Sequence, residues 1–164
     1  MAPGLALQAQ AQGTTEAGYR LAAWRGPFTE LGLSDTNGKT WQIADLKGRA
    51  VLLNFWATWC PPCRAEMPSL QIVAELYGEA RLLVLAINFK ETASRAAKFA
   101  TANGLGFPVL LDSAGKLAAQ HGVTMFPTTL TLDAQGRPQH RLTGEVDWTG
   151  AAAEKIIAGL LKPY

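Results

Sequence analysis

The rhythm of apolar and polar positions predicts strands alternating with helices. Residues 50–56, Ala-Val-Leu-Leu-Asn-Phe-Trp, are apolar at both alternating positions, as in a central strand covered on two faces, and residues 81–87 repeat the pattern. Residues 28–33 and 40–43 flank Asp35-Thr36-Asn37-Gly38-Lys39, whose Asn-Gly pair predicts an opening hairpin, and residues 45–49 read as a polar turn. Helices are predicted from Cys60 to about Tyr77, over residues 92–103 closed by Gly104, over 116–121 ended by Gly122, and over 148–161. Pro61 and Pro62 suit a first helical turn, and Pro68 is expected to kink that helix. Residues 108–111 predict a short strand; residues 128–132 and 139–143 predict two more, joined by the turn Asp133-Ala134-Gln135-Gly136. The expected class is therefore α/β, a central mixed β-sheet flanked by helices with an additional N-terminal β-hairpin.

With 164 residues, one packed domain is expected over residues 23–164, after an N-terminal tail over 1–22. The tail is small and polar. It lacks the basic start and continuous apolar centre of a secretory signal, although its Ala-x-Ala triplet resembles the far end of one; a trimmed signal or linker and a natural flexible tail both fit. No apolar run reaches the roughly 18 to 20 residues of a membrane span. A net charge of +2, without a dense run of Lys and Arg, gives no footprint for nucleic acid.

The chain has two cysteines, Cys60 and Cys63, too close together for a disulfide that closes a long loop, so reactivity or metal is their use. Zinc would require four ligands, and His121 and His140 lack the spacing of a finger; no metal site is expected, and the histidines read as structural or surface residues. A thiol of pKa about 8.5 reacts only as thiolate. A helix start stabilises that anion through its unpaired N–H groups and dipole, and the three-residue step brings Cys63 within disulfide reach. Cys60 is thus expected as the exposed attacker and Cys63 as the resolver. Glu66 lies one further turn along the same face and is either a proton carrier or a solvated charge. Trp59 flanks the sulfur and offers apolar surface, or is simply core. Phe126-Pro127 precedes a strand and is either an ordinary turn proline or a cis bond exposing backbone beside a site.

The stretch Phe55-Trp56-Ala57-Thr58-Trp59-Cys60-Pro61-Pro62-Cys63, with Pro68 downstream, resembles the thioredoxin superfamily. The opening hairpin, Phe107-Pro108-Val109-Leu110-Leu111-Asp112, and Gly122-Val123 through Pro127-Thr128-Thr129 bring it nearer the TlpA/ResA-like branch, over about residues 25–162. The resemblance implies a thioredoxin fold and a thiol-disulfide oxidoreductase that needs no cofactor beyond its Cys60-Cys63 disulfide. It implies catalytic roles for Cys60, Cys63, Glu66 and a cis Pro127; Trp59, Pro61, Pro62 and Phe126 are the expected substrate-binding residues. Asn54 stands where thioredoxins carry a buried aspartate, which favours Glu66 as proton carrier. The implied setting is periplasmic or extracytoplasmic, with a membrane anchor in the full-length precursor. The implied protein reduces protein substrates such as apocytochrome c or copper-assembly factors and is recharged by an upstream membrane electron donor; a monomer is expected.

Two rival functions share the fold. A thiol peroxidase is suggested by Thr58-Trp59-Cys60, a Thr-x-x-Cys arrangement shortened by one residue. A non-enzymatic docking module would use the disulfide only for shape.

Overall fold

The structure, a computed structural model, describes residues 14–16 and 18–162. Its sheet has seven strands in the order β1-β2-β9-β8-β5-β6-β7. These are β1 (Thr14–Glu16), β2 (Tyr19–Ala23), β5 (Ala50–Trp56), β6 (Leu82–Phe89), β7 (Val109–Asp112), β8 (Thr128–Leu132) and β9 (Pro138–Gly144). Strands β5, β6 and β7 run parallel, whereas β8, β9, β2 and β1 add antiparallel neighbours. A separate two-residue ladder pairs β3 (Leu33–Ser34) with β4 (Thr40–Trp41). Helices α1 (Pro61–Tyr77), α2 (Ala93–Ala102), α3 (Lys116–Gln120) and α4 (Ala151–Leu161) complete the expected thioredoxin-like arrangement.

Strand β5 is buried at every position because both faces are covered. On one face, Leu52 and Trp56 pack with Met67 and Leu70 of α1 and Ile157 of α4. On the other, Val51, Leu53 and Phe55 meet Leu117 of α3 and the N-terminal segment's Trp24, Phe28 and Trp41. At roughly 1.5–3 kcal/mol for each fully buried large apolar side chain, these two layers hold β5 in place and so aim the chain at Cys60.

The structure corrects several boundaries. Tyr19–Ala23, placed mostly within the tail by sequence, pairs residue for residue with β9, from Tyr19 opposite Gly144 to Ala23 opposite His140. Five residues of weak alternation, ended by Trp24-Arg25-Gly26, were too short a signal for a strand. Residues 1–13 of that tail lie outside the described residues. Residues 28–32 form no strand: Phe28 and Leu31 are buried by packing onto the sheet, without ladder pairing. The turn predicted at 45–49 begins as a 3₁₀ turn, Ile43–Leu46. Helix α4 starts at Ala151 because Asp147 Oδ1 accepts from the backbone N–H and hydroxyl of Thr149, turning residues 147–149 out of helix. No described helix is long and apolar enough to cross a membrane.

Candidate active site

Strand β5 ends beneath α1, and Cys60 is that helix's N-cap, with extended backbone at φ −97°, ψ 106°. Pro61 and Pro62 occupy the first positions, where a missing N–H removes no intrahelical bond. The freed donor is spent on sulfur: the Cys63 backbone N–H donates to Cys60 Sγ at 3.3 Å. Cys60 and Cys63 are joined as a disulfide, their Cα atoms 5.3 Å apart. On reduction, the same N–H and the positive end of α1 favour a thiolate at Cys60.

The sulfurs are less open than the sequence suggested: Cys60 is 4% exposed and Cys63 1%. Phe126–Pro127 is a cis peptide bond, and the Phe126 carbonyl oxygen lies 3.5 Å from Cys60 Sγ. Trp59 is 57% exposed, its ring edge-on to Phe126 at 6.0 Å between centroids. Pro61 and Pro62 are exposed beside them, and Met125, which sequence reasoning did not single out, is also exposed. Cys60, Cys63, Trp59, Pro61, Pro62, Phe126 and Pro127 therefore gather at one end of the sheet. Among the described residues, no cluster of three or more His, Cys, Asp or Glu side chains could hold a metal.

Glu66 lies on α1 one turn beyond Cys63 and is 2% exposed, so it is not a solvated helix charge. Its Oε1 accepts from Asn54 Nδ2 at 2.8 Å and from Trp148 Nε1 at 3.1 Å; its Oε2 accepts from the Val146 backbone N–H at 3.0 Å. Asn54 is itself oriented by its second bond, to Thr129 Oγ1 at 3.0 Å. Burial, with a smaller push from the charge of Glu145, raises the carboxyl to about 7 against the lowering by these three donors. Near neutral pH it therefore exists in both forms.

A second carboxylate meets the approach to Cys60. Glu91, just past β6, accepts from the Thr58 backbone N–H at 2.7 Å, from the Thr58 hydroxyl at 2.5 Å and from Asn88 Nδ2 at 2.9 Å. Arg95 Nε lies 3.1 Å from Glu91 Oε2. Burial raises its pKa, but the Thr58 and Asn88 bonds with the Arg95 charge outweigh that, and the net shift is downward. Sequence reasoning missed Glu91, Trp148 and Val146. For Glu91 a signal existed: β5 and β6 are parallel, so residues following each emerge at the same end of the sheet. No local periodicity marks Val146 or Trp148, which reach Glu66 from the irregular segment between β9 and α4.

The AhpC/TSA family matches residues 25–141. The chain belongs to that family. It is 37% identical over 112 residues to the thiol-disulfide oxidoreductase ResA of Geobacillus thermodenitrificans (strain NG80-2), a match covering 68% of this chain and 64% of that protein. The chain thus spans less than two thirds of this relative's length. A solved secreted thiol-disulfide isomerase from Corynebacterium glutamicum superposes with a TM-score of 0.74 at 29% identity, covering 86% of this chain and 89% of the other. A DsbF homologue from Corynebacterium diphtheriae gives a TM-score of 0.72 at 32% identity, covering 84% and 89%. The thioredoxin-fold, ResA-like resemblance drawn from the Trp-Cys-Pro-Pro-Cys stretch and its companion segments is borne out.

Proposed function

We propose that the chain is a thiol-disulfide oxidoreductase that reduces protein disulfides through Cys60 and Cys63. The observation that carries this reading is a cysteine at a helix N-cap, its sulfur receiving the Cys63 N–H at 3.3 Å. In the reduced protein the Cys60 thiolate attacks one sulfur of a substrate disulfide, forming a mixed disulfide and releasing the other sulfur as thiolate. Cys63, as thiolate, then attacks Cys60 Sγ and displaces the second substrate sulfur. Two electrons leave the protein, the Cys60–Cys63 disulfide forms, and the substrate takes up two protons.

Glu66 serves as proton acceptor for Cys63 in the second step: with a pKa of about 7, it takes a proton without needing strongly basic conditions. The cis bond at Pro127 leaves the Phe126 carbonyl beside Cys60 for backbone pairing with substrate, and Trp59, Pro61, Pro62 and Phe126 form the apolar rim. The substrates are proteins such as apocytochrome c or copper-assembly factors, the donor lies upstream in a membrane, and the working form is a monomer. An extracytoplasmic setting, with an anchor in a precursor, accords with the relative from Corynebacterium glutamicum described as secreted. Thr58, the residue that suggested a peroxidase, commits its hydroxyl to Glu91.

The test is the redox equilibrium of the pair against glutathione, together with titration of the Cys60 thiol in wild type and Glu66→Gln. A reducing pair is expected, with a titration curve that changes when the carboxyl is removed. An oxidising pair would reverse the direction of flow, and identical curves would remove Glu66 from the mechanism. Rapid peroxide consumption by Cys63→Ser would establish the peroxidase instead, and full partner function in a double Cys→Ser variant the docking module.

A further inference from the structure

Beside the cis Phe126–Pro127 bond, a groove of about 530 Å³ runs from Met125 and Thr128 across β9 and β2, between Arg141 and Arg20. The register sets its course: Thr128 lies opposite Thr143 on β9, and Thr143 opposite Arg20 on β2. These residues share the sheet face that carries α3, since Leu130 and Leu117 belong to one core cluster whereas Leu142, of opposite parity to Arg141 and Thr143, belongs to the other. Among the described residues, the groove lining contains two arginines and no carboxylate.

Neither arginine takes part in an ion pair among the described residues, which are Arg49–Glu79, Arg95–Glu91 and Arg137–Asp133. Arg20 is exposed. Arg141 is half-buried and spends its N–H groups on the backbone carbonyls of Gly122 and His121, which position the guanidinium without neutralising it. Glu30 borders an adjoining hollow that shares Arg141, and no ion pair joins them. Arg141 acts on its surroundings as a cation: the His121 pKa is lowered by burial first and by the charge of Arg141 second. A half-desolvated cation held by carbonyls alone gains a charge-assisted bond when a carboxylate arrives.

We propose that this groove is the docking surface for an acidic flank of the substrate protein, an extended segment whose Asp or Glu residues pair with Arg141 and Arg20 while its cysteine meets Cys60. This rests on the thiol-disulfide reading and names the substrate class within it. Thr128 to Arg20 is two strand spacings, or roughly 10 Å, which an extended segment covers in about three residues. The acidic residues therefore lie on the order of three to five positions from the reacting cysteine.

The test measures the rate constants with which the reduced protein reduces three disulfide-closed Cys-x-x-Cys peptides flanked at both ends by Glu, Ser or Lys pairs, with hydroxyethyl disulfide alongside. Wild type is expected to favour the Glu peptide over the Lys peptide by about tenfold at low ionic strength, the ratio shrinking as salt is added. Arg20→Glu, at an exposed position, is expected to cut that ratio at least about threefold. Lys155→Glu, which makes the same charge change on exposed α4 of the opposite layer, is expected to leave more of it. Equal rates for Glu and Lys peptides, or an equal loss in the two charge variants, overturns the groove as a docking surface. If hydroxyethyl disulfide is not reduced at all, the thiol-disulfide reading falls first, so the two failures are distinguishable.

Discussion

Glu66 and Glu91 are two carboxylates withdrawn from water near one sulfur pair, and their protons are driven in opposite directions. The Glu66 side chain is sealed between α1 and β5 and accepts three N–H donors; the Glu91 side chain is 6% exposed and accepts two bonds from Thr58 and one from Asn88. Hydrogen bonds alone do not separate them. Arg95 stands against Glu91, whereas deeper burial without a cation raises Glu66 to about 7. One acid thus remains a fixed anion bonded to Thr58 beside Cys60, and the other exists in both forms near neutral pH, as the proton acceptor proposed above requires.

Both acids can bear on disulfide exchange only through the Cys60–Cys63 pair, so the largest expected effect comes from Cys60→Ser, which should remove disulfide reduction by at least about a thousandfold. Turnover near wild type in an insulin-reduction assay would detach both carboxylates from the chemistry. Glu66→Gln comes next: a loss of about ten- to a hundredfold in resolving rate, with flattening of the rate profile around pH 7, read by stopped-flow mixed-disulfide decay. The same variant carries a stability signature. The folded state holds the Glu66 proton more tightly than the unfolded chain, so the contribution of this group to stability is largest below pH 4.5 and falls as pH rises through about 7, by on the order of 3 kcal/mol. Urea titrations of Glu66→Gln across that window should lack this component of the slope; parallel wild-type and variant curves would show an ordinary carboxyl.

Glu91→Ala should cost about 1–3 kcal/mol, because Thr58 and Asn88 lose their acceptor. Its pH dependence has the opposite sign: the contribution of the lowered pKa is present above pH 4.5 and lost as pH falls through the folded-state value below it. A loss persisting undiminished in acid would mean that packing, not charge, holds Thr58. Arg95→Ala should be the mildest, at most about 1 kcal/mol, since that side chain is 66% exposed and its pairing is screened. A larger loss in thermal melts would place the anchor of the approach loop at Arg95 rather than Glu91.

The elements legible in sequence were those with strong periodic or capping signals. Residues 50–56 announce a doubly covered strand, and Pro61-Pro62 after Cys60 announces a helix start; both stand where expected. Strand β2 was hidden because its five residues depend on pairing with β9, a partner more than a hundred residues away. The site divided in the same way. The Cys60–Cys63 pair and the placement of Glu66 follow from helical spacing, but the character of Glu66 depends on Trp148 and Val146, which approach through tertiary packing. The expected openness of Cys60 failed because neighbouring backbone from the Phe126–Pro127 segment covers the sulfur, and no pattern around Cys60 encodes that cover.

The parallel pairing of β5 with β6 sets Trp56 opposite Asn88, which delivers Thr58 and Glu91 to the same point. Because side chains in a strand change sides at every step, removing one residue from the interior of β6 would exchange the side chains beyond it between the two layers and draw Glu91 away from Thr58. The length of β6 thus decides whether Glu91 reaches the segment that leads into Cys60, and an indel there should disturb that segment from a distance.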